Sequence, residues 1–357
     1  MALVPRFVCG RDADRIFDGD RDTQVSLGDG VVETMKRHQG NLLYSSGSSR
    51  FDGQSAIAAY QMTILGLSQL VQRHPELRER YMPALRDAGR RIADPSTLAY
   101  AAHAYGHNGI VTMNPGEGHA YLGYVNLALG MLRAVDPDTP LAALNDRLTA
   151  ALAARLFASP TGLIETYPGE TWPPDVAAVA GSIGEHARVT GADVTATLGT
   201  WAARFAKCAI ADGGFLVQRV RSGTCKPVDA ARGSGTAVAA YFLGFADRAL
   251  SLELEHAIAS TGERSFVGFG AIREYADGSS GAGDGDSGPV VLGVSIGATG
   301  FALGAAAAHG DRELFRRLYR TTELFGVPRT DGAGRTFVMG GALGNALLLA
   351  MLTARPS

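Results

Sequence analysis

Two tryptophans and three cysteines in 357 residues set the first limits on this chain. Cys9, Cys208 and Cys225 are odd in number, and none stands in a CxxC pair. Such a set makes neither a disulfide framework nor a zinc site. It predicts reduced thiols in a cytoplasmic protein. Excess charge is missing as well: 33 Lys and Arg against 35 Asp and Glu leave a formal −2, with no basic run. That excludes the electrostatic footprint of a nucleic-acid binder or of a protein held on an anionic membrane. Apolar runs are broken by Gly, Asn or charge before the about 18 residues that a membrane span needs. The first residues carry no apolar h-region, so no signal peptide is expected. There is no phosphate-binding P-loop and no glycine fingerprint following a strand, so no nucleotide or other cofactor is expected. What remains is a small-molecule substrate, with a homo-oligomer as an open possibility.

What the chain does have is glycine, 46 residues of it, abundant alanine, and 46% hydrophobic residues. Very apolar helical segments begin near residues 54, 119, 174, 233, 289 and 340. The interval is roughly 50 to 65 residues, the range of internal structural repeats. Between them lie helical segments with a charged face, such as the Arg-rich stretch ending at Ile92 and Arg312 to Phe325. A helix apolar all round is buried on all sides, and one with a charged face sits outside. The turns from apolar to amphipathic helix are short, as at His74-Pro75-Glu76, and make antiparallel neighbours. The return loops are long. All apolar helices then point one way, and all long loops gather at their N-terminal ends. The pattern predicts an all-α (α/α)6 barrel with one short hairpin around Ile272 to Tyr275. Residues 1–25, charged and without periodicity, read as an N-terminal arm, and 26–357 as a single barrel domain.

The candidate chemistry lies in those loops. Glu165-Thr-Tyr-Pro-Gly-Glu-Thr-Trp-Pro-Pro-Asp175 packs three carboxylates, a Tyr and a Trp ahead of the third apolar helix. Paired carboxylates suit acid–base work when burial or repulsion separates their pKa values. Asp175 and Glu170 are therefore the candidate acid and base, with Tyr167 and Trp172 shaping the pocket; the plainer reading makes Asp175 a helix cap. His119, opening the second apolar helix two residues before Tyr121, is the candidate proton shuttle. Asp284-Gly-Asp286 precedes the fifth apolar helix, where it can orient a substrate or cap the helix. It lacks the further ligands a metal needs, and no metal is expected. Asp52 caps the first apolar helix or touches substrate. Arg232 pairs with these acids or holds an anionic group, and Tyr275 closes over the funnel. Cys225, beside Lys226, is a weaker nucleophile candidate.

Gly118-His119 and the stretch from Glu170 to Asp175, set in alternating helices, resemble the linalool dehydratase/isomerase-like proteins. That resemblance implies an (α/α)6 barrel and cofactor-free acid–base chemistry on a small terpene alcohol, with His119 matching an active-site His. The family's best-known member uses two cysteines around the third inner helix. Trp172 to Gly181 contains none here, so Glu170 and Asp175 would take over proton transfer. Three functions are thus expected in order: a dehydratase, isomerase or cyclase acting on a small, partly apolar metabolite; a carbohydrate-active enzyme using paired carboxylates; and a non-catalytic helical-repeat binding protein.

Overall fold

The computed structural model describes residues 8–38, 42, 44, 48–107, 109–112, 119–276, 280–285 and 287–355. Six inner helices run Ser49–Arg73, Leu122–Val135, Pro173–Thr190, Gly233–Leu243, Ile296–His309 and Gly341–Leu352. Each packs against the next, and the last packs against the first. The closing seam is specific. The Gln69 side-chain amide on the first inner helix donates to the Ala350 carbonyl (2.8 Å) and to Thr353 Oγ1 (3.0 Å) on the sixth. The chain therefore forms a closed (α/α)6 barrel, as its periodicity predicts.

Small residues let the inner helices approach closely. A Cβ on Gly123 would stand 2.6 Å from the Val179 backbone nitrogen, and one on Gly181 would stand 2.5 Å from the Phe242 carbonyl oxygen. The obstacle is backbone in both cases, so the helices themselves would have to part. Gly181→Ala is expected to destabilise the fold by about 1–3 kcal/mol, as overpacked cores do, despite alanine's better helix propensity. A lowered urea midpoint at an unchanged slope would register this.

The outer helices are Arg78–Ile92, Ala142–Ala158, Thr195–Ala209, Arg248–Ala257 and Arg312–Gly326. The last buries Leu314, Phe315, Leu318 and Tyr319 on one face and turns Arg316 and Arg317 to ion pairs with Asp14 and Glu263 on the other. The sixth outer helix comes from the N-terminus. Arg21–Arg37 is one continuous helix, capped by Asp20 accepting from the Thr23 amide, and it packs on the first and sixth inner helices. Residues 21–25 are therefore helical rather than part of an extended arm.

Short strands decorate the loop end. The hairpin expected near Ile272–Tyr275 turns instead at Val267-Gly268, where both residues have positive φ (51° and 84°). It pairs Glu263–Phe266 with Phe269–Arg273, and Ile272 also pairs with Ser295 on its other edge. A second hairpin pairs Pro328–Asp331 with Gly334–Phe337, where the sequence reads as loop. The cysteine reading is also corrected. Cys208, at the end of the third outer helix, and Cys225, in the loop before the fourth inner helix, form a disulfide with their Cα atoms 4.7 Å apart. Their spacing in sequence hid the pairing, because the intervening residues double back through bridges such as Ile210 to Leu216 and Val217 to Ala231.

Candidate active site

At the loop end of the barrel lies a cavity of about 460 Å³. Every inner helix gives it a first-turn residue: Phe51, Tyr124, Pro174, Ser234, Gly297 and Leu343. Six helix N-termini thus surround one space, and their aligned dipoles raise its potential.

The third inner helix supplies a buried carboxyl. Pro173 and Pro174 occupy its first two positions, where a missing N–H costs nothing and the fixed φ is already helical. Asp175 follows in the first turn, only 7% exposed. It does not cap the helix. The Tyr124 hydroxyl donates to Oδ1 (2.6 Å) and the Thr166 hydroxyl to Oδ2 (2.8 Å). Both bonds favour the carboxylate, but burial outweighs them and pushes its pKa up to about 6. Asp175 therefore changes protonation in the range where a general acid works best.

The loop in front of it is folded back tightly. The Thr166 amide donates to the Glu170 carbonyl (2.9 Å), Gly169 sits at φ 77°, and Glu170–Thr171 pairs with Val220–Arg221 of the neighbouring loop. This register aims Glu170 into the cavity mouth. Arg50 Nη1 donates to both Glu170 oxygens at 2.9 Å, and Trp172 Nε1 donates to one of them at 3.2 Å. Arg50 also lies over the Tyr167 ring, 4.6 Å from its centre. The Tyr167 hydroxyl donates to that of Tyr100 (3.3 Å), and burial holds both phenols above their ordinary range.

Four of the sequence candidates meet here: Asp175, Glu170, Tyr167 and Trp172 all line the cavity. Six others stand elsewhere. His119 is fully buried behind the tyrosines, its ring 4.1 Å from that of Tyr105. Its φ of 56° swings the side chain away before the helix begins at Leu122. Tyr121 stacks on Tyr167 at 5.8 Å, and its hydroxyl accepts from the Gly109 amide, so it backs the cavity wall. Asp52 lies in the first turn of its helix, whose cap is Ser48, and its neighbours Phe51 and Gln54 line the cavity in its place. Arg232, Tyr275 and Asp284 form a separate knot. Arg232 pairs with Asp284 and lies 5.5 Å from the Tyr275 ring centre. The Tyr275 hydroxyl donates to the Ala282 carbonyl (2.9 Å), and Asp284 accepts from the Ser287 amide (3.0 Å). Asp286 lies outside the described residues.

Sequence reasoning missed Tyr124, Tyr100, Arg50, Gln61 and Gln218, all of which line the cavity. Tyr124 had a signal, lying one turn beyond Tyr121 on the same helix. Gln61 had one too, as a polar residue inside an otherwise apolar helical run.

No family model and no curated protein matches the chain. Solved structures do, among them two of inactive variants of the α-1,6-mannanase GH76A of Salegentibacter sp. HEL1_6. One is in complex with α-1,6-mannotriose and the other with α-1,6-mannotetrose. Each matches with a TM-score of 0.52 at 12% identity over 91% of this chain, covering 99% and 98% of the mannanase. The likeness establishes a shared fold. It corrects the resemblance to linalool dehydratase/isomerase-like proteins, because these two solved structures are α-1,6-mannanases. In those mannanase variants two consecutive aspartates are replaced. No two aspartates are adjacent anywhere in this chain; its cavity offers Asp175 and Glu170 instead. Among the described residues, no helix is long and apolar enough to cross a membrane.

Proposed function

We propose that this protein is a carbohydrate-active enzyme that hydrolyses a glycosidic bond with Asp175 as general acid and Glu170 as the second carboxylate. The observation that carries the reading is Asp175: buried in the cavity, its carboxyl bonded among the described residues by two hydroxyls that can reverse direction, and raised to about 6. Such a carboxyl holds a proton in mildly acidic solution and can give it to the glycosidic oxygen as the C–O bond breaks. Tyr124 and Thr166 keep its orientation through both protonation states. Glu170, at the mouth, takes a proton from the water that attacks the anomeric carbon, and Arg50 and Trp172 fix its oxygens. The sum is one water consumed and two hydroxyls released, with each carboxyl changing hands with one proton. Trp172 and Tyr100 supply aromatic surface against which a sugar ring packs.

The shared fold with α-1,6-mannanases supports this choice over a lyase or isomerase. A closed ring with a buried carboxyl supports an enzyme over an open helical-repeat scaffold. The disulfide supports an oxidising compartment rather than the cytoplasm.

Release of reducing ends from a panel of glycosides and α-linked manno-oligosaccharides tests the proposal. Wild-type protein is expected to cleave at least one member. Asp175→Asn and Glu170→Gln are each expected to slow that cleavage by about 10²–10⁴-fold, the usual weight of a general acid or base. Failure to cleave any glycoside, or full turnover by Asp175→Asn, would overturn it.

A further inference from the structure

Two glutamines on the cavity wall leave buried side-chain atoms unpaired among the described residues. Gln61, on the first inner helix, is fully buried. Among the described residues, neither its amide nitrogen nor its oxygen has a hydrogen-bond partner. Gln218 is 2% exposed, and its side-chain oxygen is likewise without a partner. Both line the cavity that holds Asp175. Gln218 sits over Gly235, where an added Cβ would collide with its oxygen and approach Pro174, the residue before Asp175. Buried amides left unpaired are costly, and folded proteins rarely keep them without a reason. A primary amide both donates and accepts, which matches a hydroxyl.

Much of the remaining wall is of another kind. Val238, Phe242, Phe301, Leu343 and Leu347, from the fourth, fifth and sixth inner helices, face the same space. The chain's second tryptophan adds no sugar platform, because Trp201 is buried in the third outer helix and donates to the Gly162 carbonyl. The funnel thus carries acids, phenols and orphaned amides together with a large share of aliphatic and aromatic hydrocarbon.

We infer that the cavity takes an amphipathic glycoside: Gln61 and Gln218 hold hydroxyls of a single sugar, and the apolar wall holds a hydrocarbon aglycone. This rests on the glycosidase reading for what happens to the ligand, but its binding test does not. A ligand of this kind satisfies both amides and removes apolar surface from water at once. A sugar chain would leave the hydrocarbon wall facing hydroxyls.

The test is calorimetric titration of Asp175→Asn protein, which traps ligand, with methyl and n-octyl α-mannoside and glucoside below their micelle concentrations, and with 1-octanol. At least one octyl glycoside is expected to bind ten or more times more tightly than its methyl counterpart and than octanol. Gln61→Leu and Gln218→Leu, each added to the trap, are expected to weaken that glycoside tenfold or more and leave octanol unchanged. Their unliganded melting temperatures should not fall, because each substitution removes unpaired polar atoms; a structural role would lower them. Equal affinity for methyl and octyl glycosides, or full affinity in both glutamine variants, would overturn the inference. Tight, glutamine-dependent binding of an octyl glycoside that wild-type protein does not hydrolyse would uphold this inference and overturn the hydrolase reading.

Discussion

Asp175→Asn is expected to abolish turnover and, at pH 8, to make the protein more stable than wild type by up to about 3 kcal/mol. The sign follows from linkage. The Asp175 carboxyl has an ordinary value of 3.8 and is pushed up to about 6 by burial. Below the ordinary value the group is protonated in both folded and unfolded chains and costs nothing. Between the two values the folded chain holds a proton that the unfolded chain has lost, so stability falls as pH rises. Above about 6 the full cost of a buried carboxylate remains, about 1.4 kcal/mol for each pH unit of the shift. Asparagine carries no charge, so the gain should be present at pH 8 and should shrink towards zero as the pH approaches 4. Urea denaturation at the two pH values measures it. An equal gain at both would mean that the benefit comes from packing and not from the charge. The case would be one of stability sacrificed at a functional group.

Loss of the disulfide should have an effect of similar size with a different signature. Cys208 and Cys225 are 17 residues apart, and a loop of that order stabilises by about 3 kcal/mol through the unfolded state. The closed loop includes Gln218 and Arg219, which line the cavity. Arg219 also pairs with Asp229 (3.1 Å) and lies 5.4 Å from the Trp172 ring centre. The Cys208→Ser/Cys225→Ser protein is therefore expected to melt lower and to show a raised KM, with kcat changed much less because Asp175 and its partners lie on other elements. A fall in kcat at unchanged KM would contradict this placement of the loop.

The barrel was legible because its inner helices are unusual. Ile296–His309 and Gly341–Leu352 are apolar on every face, with Gly and Ala where neighbours press close, and only a helix surrounded by helices can be so. The N-terminal outer helix was not legible. Arg21–Arg37 buries Thr23, Gln24, Gly28 and Gly30 beside Leu27 and Val31, so its inward face carries little hydrophobic contrast. The Val267-Gly268 turn escaped for a related reason: a left-handed Val is rare, and no Asn-Gly or Asp-Gly marked the hairpin.

Within the site, the run from Glu165 to Asp175 was readable from local density of acids and aromatics. The depth at which each side chain lies was not. His119 and Tyr121 precede the right helix and stand in the wrong layer, because three residues of left-handed or turn backbone before Leu122 decide which way a side chain points. Arg232 and Asp284 found one another before any substrate could. The partners that orient Asp175, namely Tyr124 and Thr166, come from a neighbouring helix and a folded-back loop, and Gln218 comes from a strand-like loop with no periodicity to mark it.

The central claim is that a protonated Asp175 does the chemistry, and the pH dependence of kcat/KM on a glycoside that the protein cleaves tests it most directly. That profile reports the free enzyme. Activity is expected to fall as pH rises through about 6, following deprotonation of Asp175. A rate constant that stays level from about pH 5 to 8 would contradict the assignment of Asp175 as the acid.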